Sequence, residues 1–291
     1  MSGVERGEHK DSTSEPTIVE RRGLGRFSSA VLFEDPSGQR LVWSSRRNRK
    51  GLDPEPVHLF SRSRPRHLLP ISPGSLAWWI AVLFMIGAAL FAVGSAGTLL
   101  RTSWAGGSGS LFFAGSLFFT SAAYLQLLEV INEPEALSKK RPSISLWRWE
   151  PHKIGWWAVV VQLLGTLLFN MNTFEAMQTL SPIDQDRFVW APDAIGSICF
   201  LAASYLAYAE ICHRWIGWQS RNISWWVAII NLLGSVAFGV SAVASVVIVQ
   251  TGELLSAYAS NLWTFVGAIC FFVGGYLLLP EMTSHSATQA P

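Results

Sequence analysis

Three glutamates, Glu129, Glu210 and Glu281, each stand fourteen residues after a glycine, at or near the end of a long apolar run. Ionisable groups at membrane depth are costly and mark ion paths, proton relays or buried partners. Gathered around one axis, these carboxylates would make an acidic ring able to attract cations or hand on protons. The plainer alternative leaves them at the membrane interface, hydrated or paired with loop bases such as Arg214.

A second polar group closes the third apolar run: Asn170, Asn172, Thr173, Glu175 and Gln178. It could line a binding vestibule, or be the end of a helix reaching water. Gln162 and Asn231 each lie three residues before a glycine, Gly165 or Gly234, deeper in their runs. Amides at that depth hydrogen-bond across helices, for about 0.6–2 kcal/mol each. Cys199, Cys212 and Cys270 form no CxxC pair, and His152 and His213 stand alone without ligand spacing. No catalytic residue, metal site or cofactor is therefore expected.

The elements that must position these groups are membrane helices. The chain is 50% hydrophobic and only 14% charged, with apolar runs over Leu76–Leu100, Ser110–Ile131, Ile154–Met177, Phe188–Cys212, Ile223–Gln250 and Ala257–Leu279. About 20 apolar residues cross the hydrocarbon core as a helix. An unpaired backbone amide in lipid costs several kcal/mol, and the alternation of a β-barrel is absent, so helices are required. No Lys or Arg falls inside any run. The first 75 residues hold 13 of the 22 bases; Lys139, Lys140, Arg141, Arg148 and Lys153 follow the second run, and Arg214 and Arg221 the fourth. Arg101 and Arg187 alone occupy the alternate loops. Basic loops stay in the cytoplasm, which predicts a multi-pass cell-membrane protein with both termini cytoplasmic. The polar first 25 residues contain no signal-peptide core.

The runs repeat in pairs. Odd runs open with Trp78-Trp79, Trp156-Trp157 and Trp225-Trp226, followed at fixed spacing by Gly87, Gly165 or Gly234 and then Phe91, Phe169 or Phe238. Even runs share Gly115, Gly196 and Gly267, then Phe119, Phe200 and Phe271, then Tyr124, Tyr205 and Tyr276 before the glutamates. At 100° per residue the even-run glycine, phenylalanine and glutamate lie within about 80° of arc while the tyrosine faces away. Glycines mark close helix contact and tryptophans the headgroup layer. The expected fold is an all-α integral membrane protein of six helices, built as three tandem helical hairpins in a pseudo-threefold bundle. The hairpins are residues 76–131, 154–212 and 223–281, with a cytoplasmic tail at 282–291. The WW-x7-G-x3-F and G-x3-F-x4-Y-x4-E patterns resemble the YrhK-like two-helix membrane hairpin, here in three copies. That resemblance implies the hairpin fold and carries no catalytic residues. Pro280, just before Glu281, suggests that the last helix ends early. The odd runs lack the prolines of mitochondrial carriers, which also use three two-helix repeats.

Ahead of the membrane region, residues 1–22 are polar and aperiodic and are expected to be disordered. Residues 23–75 form a basic segment, with a β-hairpin expected from Phe27–Phe33 and Arg40–Trp43 around the turn at 34–38. Arg46, Arg47, Arg49 and Lys50, with Arg62, Arg64 and Arg66, either fix topology alone or also bind anionic lipid headgroups. Nothing motif-like accompanies them to suggest nucleic acid. The reading favoured by these features is a non-enzymatic membrane scaffold or regulatory protein, partnered by the bilayer and by a protein or a second copy. The alternative is a small transporter or cation-permeable pore using the acidic ring.

Overall fold

A computed structural model describes residues 16–58, 64–65, 67–103, 105–134, 144–248 and 250–285. Lys139, Lys140, Arg141, Arg62, Arg66 and the terminal residues 1–15 and 286–291 lie outside them, as does the Arg64 side chain. The chain runs β1 (Thr17–Leu24), β2 (Phe27–Glu34), β3 (Arg40–Ser44), α1 (Ser45–Arg49), β4 (Glu55–Pro56) and β5 (Arg64–Pro65) before the membrane region. Then come α2 (Leu76–Leu99), α3 (Ser108–Ile131), α4 (Ile154–Glu175), the one-turn α5 (Pro182–Asp184), α6 (Ala191–Cys212) and α7 (Ile223–Ala244). Strands β6 (Val247–Ile248) and β7 (Glu253–Leu254), helix α8 (Ala257–Glu281) and strand β8 (Ser284–His285) complete it.

The six long helices, of 22 to 25 residues, are long and apolar enough to cross a membrane. Each packs on its neighbours in chain order and α8 returns to α2, so they close into a ring. Leu117, Leu164, Ile198, Leu233 and Ile269 face outward, as lipid contact requires. The inward stripe is small residues and phenylalanine. Gly267 shows why: a Cβ there would lie 2.3 Å from the Phe238 ring and 3.0 Å from the Gly234 carbonyl. Gly267→Val is accordingly expected to lower stability by about 2 kcal/mol through overpacking, read as a loss of Tm in mild detergent.

Local signals set the helix ends. Asn222 and Ser256 cap α7 and α8 by accepting from the Ser224 and Ala259 amides. His213, in the left-handed region at φ 54°, closes α6. Two ends differ from expectation. The fifth run overshoots α7, because Val247–Ile248 leave the helix to pair with Glu253–Leu254. The last helix does not stop early: Pro280 lies within α8, which reaches Glu281. A proline so near a C-terminus removes one backbone bond from the final turn, and Glu281 is held from outside by the bases described below.

At one end of the ring sits a four-stranded antiparallel sheet, ordered β1-β2-β3-β4. The β2–β3 turn is shaped by Asp35, whose carboxylate accepts from the Ser37 and Gln39 amides, both at 2.9 Å. Residues 17–22, expected to lack structure, belong to β1. They are largely exposed and gain their order from cross-strand bonds to β2 rather than from burial. Both faces of β2 are covered, with Ala30 and Leu32 in one cluster and Val31 and Phe33 in another. Leu24 and Phe27 pack on Ile154 and Ala209, which seats the sheet between the start of α4 and the end of α6. Strand β8 pairs with β5, bringing the C-terminal segment to the same, proximal end.

Half-buried His213 helps fix this seat: its Nδ1 lies 2.6 Å from Ser29 Oγ of β2. Burial pulls the imidazole down to about 4, against the opposing pull of Glu210. The unfolded chain then binds more protons than the native one between about pH 4 and 6.5, so stability from this group is present above 6.5 and lost on acidification. His213→Asn is expected to remove about 2 kcal/mol of that acid-side loss, measurable as a flatter Tm profile over this pH window.

Candidate functional site

The proximal mouth of the ring is filled by the chain's own basic helix. In α1 and its C-cap the bases Arg46, Arg49 and Lys50 recur at helical spacing, so one face meets the carboxylates that end α3, α6 and α8. Arg46 donates from Nε and Nη2 to Glu281 at 2.6 and 3.1 Å. Arg49 makes the same two-pronged contact with Glu210 at 2.8 and 2.9 Å and lies 3.8 Å from Glu129. Lys50 pairs with Glu281. These side chains are only 2–13% exposed, so desolvation offsets much of the attraction within each pair, while breaking one pair would strand a buried charge.

Beside this cluster, Ser45 donates to Glu133 at 3.0 Å and Asn48 to the Pro134 carbonyl at 2.9 Å. Burial raises Glu133 to about 7, with Arg49 and Lys153 pulling the other way. Burial also lowers Lys50 to about 8, opposed by Glu281. Arg47 turns the other way, to Glu55 of β4 at 2.9 Å. The four bases expected at lipid headgroups are thus committed to carboxylates. The spacing of Arg46, Arg49 and Lys50 makes one face whose complement lies far away in sequence.

Above the mouth, two adjoining cavities of about 50 and 60 Å³ hold the amides. Gln162 donates to Gln126 of α3 at 3.0 Å, and Asn231 lies against Gly274 of α8. Phe84, Gln162 and Asn231 occupy one register, three residues before an odd-run glycine, and all three line this space.

The axis beyond is closed by six phenylalanines in two tiers. Phe119, Phe200 and Phe271, from α3, α6 and α8, form a triangle with ring centroids 5.7 to 6.4 Å apart. Phe238 joins Phe91 at 5.9 Å and Phe169 at 5.8 Å in the second tier. Each first-tier ring also meets a second-tier ring at 5.1 to 5.5 Å. These are favourable aromatic separations, and none of the six is more than 7% exposed.

The second tier is the floor of a larger cavity of about 340 Å³ opening at the distal end. Asn172, Thr173, Glu175 and Gln178 line it, together with Asp193, Ser241, Ser245 and Thr264. Ser245 donates to Asp193 at 3.2 Å, and the Ser241 and Thr264 hydroxyls share a hydrogen bond at 2.7 Å. Asn170 is elsewhere, donating at 2.9 Å to Thr120 across the α3–α4 seam.

Asp193 was visible in the sequence as an acid inside the fourth apolar run. It stands three residues before Gly196, where the other pairs carry Phe112 and Thr264. Likewise Asn172 and Ser241 stand three beyond a repeated phenylalanine, where the first pair carries Gly94. Positions that agree among the pairs build the packing; the vestibule is written in those that differ. No protein-family model, curated protein or solved structure matches this chain, so its role must be read from these two sites.

Proposed function

We propose that this chain is a non-enzymatic regulatory or scaffold protein of a cell membrane, whose closed six-helix bundle carries an N-terminal β-domain docked at its cytoplasmic mouth. One observation carries the reading: Arg46, Arg49 and Lys50 neutralise Glu281, Glu210 and Glu129 from within the same chain. An acidic ring so occupied is a latch for the domain rather than an entrance for cations. In this reading both termini are cytoplasmic and the chain is three tandem YrhK-like hairpins about a pseudo-threefold axis. The paired phenylalanine tiers and the closed helix ring support that symmetry. Exposed Trp147, Trp149, Trp215 and Trp218 around the proximal loops suit a headgroup layer at that end. The latch would let a partner protein, a second copy or an anionic lipid compete for α1 and so change how the domain is presented.

A second reading, a small transporter, draws on the polar chambers that flank the phenylalanine tiers. Ion flux into sealed vesicles separates the two. The latch reading expects wild type to pass no more potassium, sodium or protons than empty vesicles, and the Arg46, Arg49, Lys50 to Gln variant to expose β1–β4 to protease without gaining flux. Flux in the variant alone would favour a plugged pore; flux in wild type would favour transport.

A further inference from the structure

The geometry points to the distal vestibule as a binding site for a small organic cation, with its ammonium beside Asp193 and its hydrocarbon on the phenylalanine floor. The volume, about 340 Å³, is that of a small-molecule site. The charge has one sign among the described residues: Asp193 and Glu175 line the space, with no Lys, Arg or His among the described lining residues. The nearby Arg187 places its guanidinium over the Phe188 ring, 5.4 Å from its centroid. Low-dielectric walls focus such a field on whatever enters.

The walls are also unlike one another, as an amphipathic guest requires. Among the described residues the first helix pair presents Phe91, Gly109 and Phe112 and no polar side chain, whereas the second presents Asn172 and Asp193 and the third Ser241 and Thr264. Gly94 leaves room for the Phe112 ring, since a Cβ there would meet it at 2.8 Å. Asp193 keeps acceptor capacity beyond its side-chain contacts with Ser245 and Asn172, since a carboxylate offers about four lone-pair sites, and aromatic faces add attraction for an ammonium. The same chemistry is offered by a free amine and by the choline group of a lipid. This inference stands apart from the latch, because neither the docked domain nor the direction of the bundle enters it.

Thermal unfolding of the full chain in lipid-free detergent, with tetramethylammonium and phenethylammonium as probes, tests it. A saturable rise in Tm of about 5 °C at a hundredfold excess over Kd is expected. The neutral 2-phenylethanol should give none, and Asp193→Asn should abolish the rise. Equal shifts from amine and alcohol, or no shift from either cation, overturn the proposal. Should Asp193→Asn fail to fold, Thr264→Cys decides. A cationic methanethiosulfonate should label it about tenfold faster than an anionic one, after correction for reactivity toward a free thiol and for wild-type background; equal rates or the reverse order overturn the proposal. Repeating the Tm series in phosphatidylcholine and phosphatidylglycerol nanodiscs assigns the source. Loss of the amine shift only in phosphatidylcholine identifies a lipid headgroup as occupant, and its persistence in both identifies a soluble amine.

Discussion

Replacing Arg49 by Met is expected to weaken the seat of the N-terminal domain by about 3–5 kcal/mol, because Glu210 would be left buried without its partner. The native pair is two-pronged at 2.8 and 2.9 Å, with the arginine side chain 6% and the glutamate 3% exposed. Glu210 and its neighbours hold the Arg49 guanidinium above its usual range even though burial alone would depress it. Adding Glu210→Gln to Arg49→Met should restore most of the loss, since a neutral amide is far cheaper to bury than an unpaired carboxylate. Hydrogen exchange of the β2 and β3 amides reads the opening free energy directly. Wild-type protection in the single variant would show that the apolar contact of Leu24 and Phe27 holds the domain by itself.

Phe119→Ala should cost the bundle about 3 kcal/mol, the low end of the range for emptying a phenylalanine site. Phe119 is 2% exposed and its ring meets Phe84, Phe91, Phe200 and Phe271. In lipid the transfer term shrinks and the lost packing contacts dominate. Phe113, at the α3–α4 periphery, meets only Phe174 among the aromatic rings described, at 5.6 Å; its Ala variant should cost about 1 kcal/mol. The two Tm losses in one detergent give the comparison. Equal losses would mean that the tiers relax around the gap and contribute no special rigidity to the axis.

The six spans were legible because an apolar run of membrane length has few other physical explanations. The close approach of helices at Gly267 was legible too, since a small residue facing an aromatic one at fixed spacing marks a contact. Local composition failed where order comes from pairing with the next strand: Thr17–Leu24 has too little apolar content to look folded, yet β2 supplies its hydrogen bonds. It failed again at the mouth, where the basic cluster and the glutamates were each noticed but not joined. Their separations, from 80 residues for Arg49 and Glu129 to 235 for Arg46 and Glu281, leave no periodicity to connect them. Asp193 was missed for another reason: attention to what the pairs share passes over the place where they part.

The distance along the chain between Lys50 and Glu281, 231 residues, also sets an order of events during synthesis. At roughly 5–20 residues per second, the basic helix waits on the order of ten to fifty seconds for its last carboxylate to be made. Throughout that interval the bases of α1 lack the complete set of carboxylates that they meet in the folded chain. Only when α8 is complete does the mouth acquire all three acids. Closure of this one ion-pair cluster is therefore a record that all six long helices have been made.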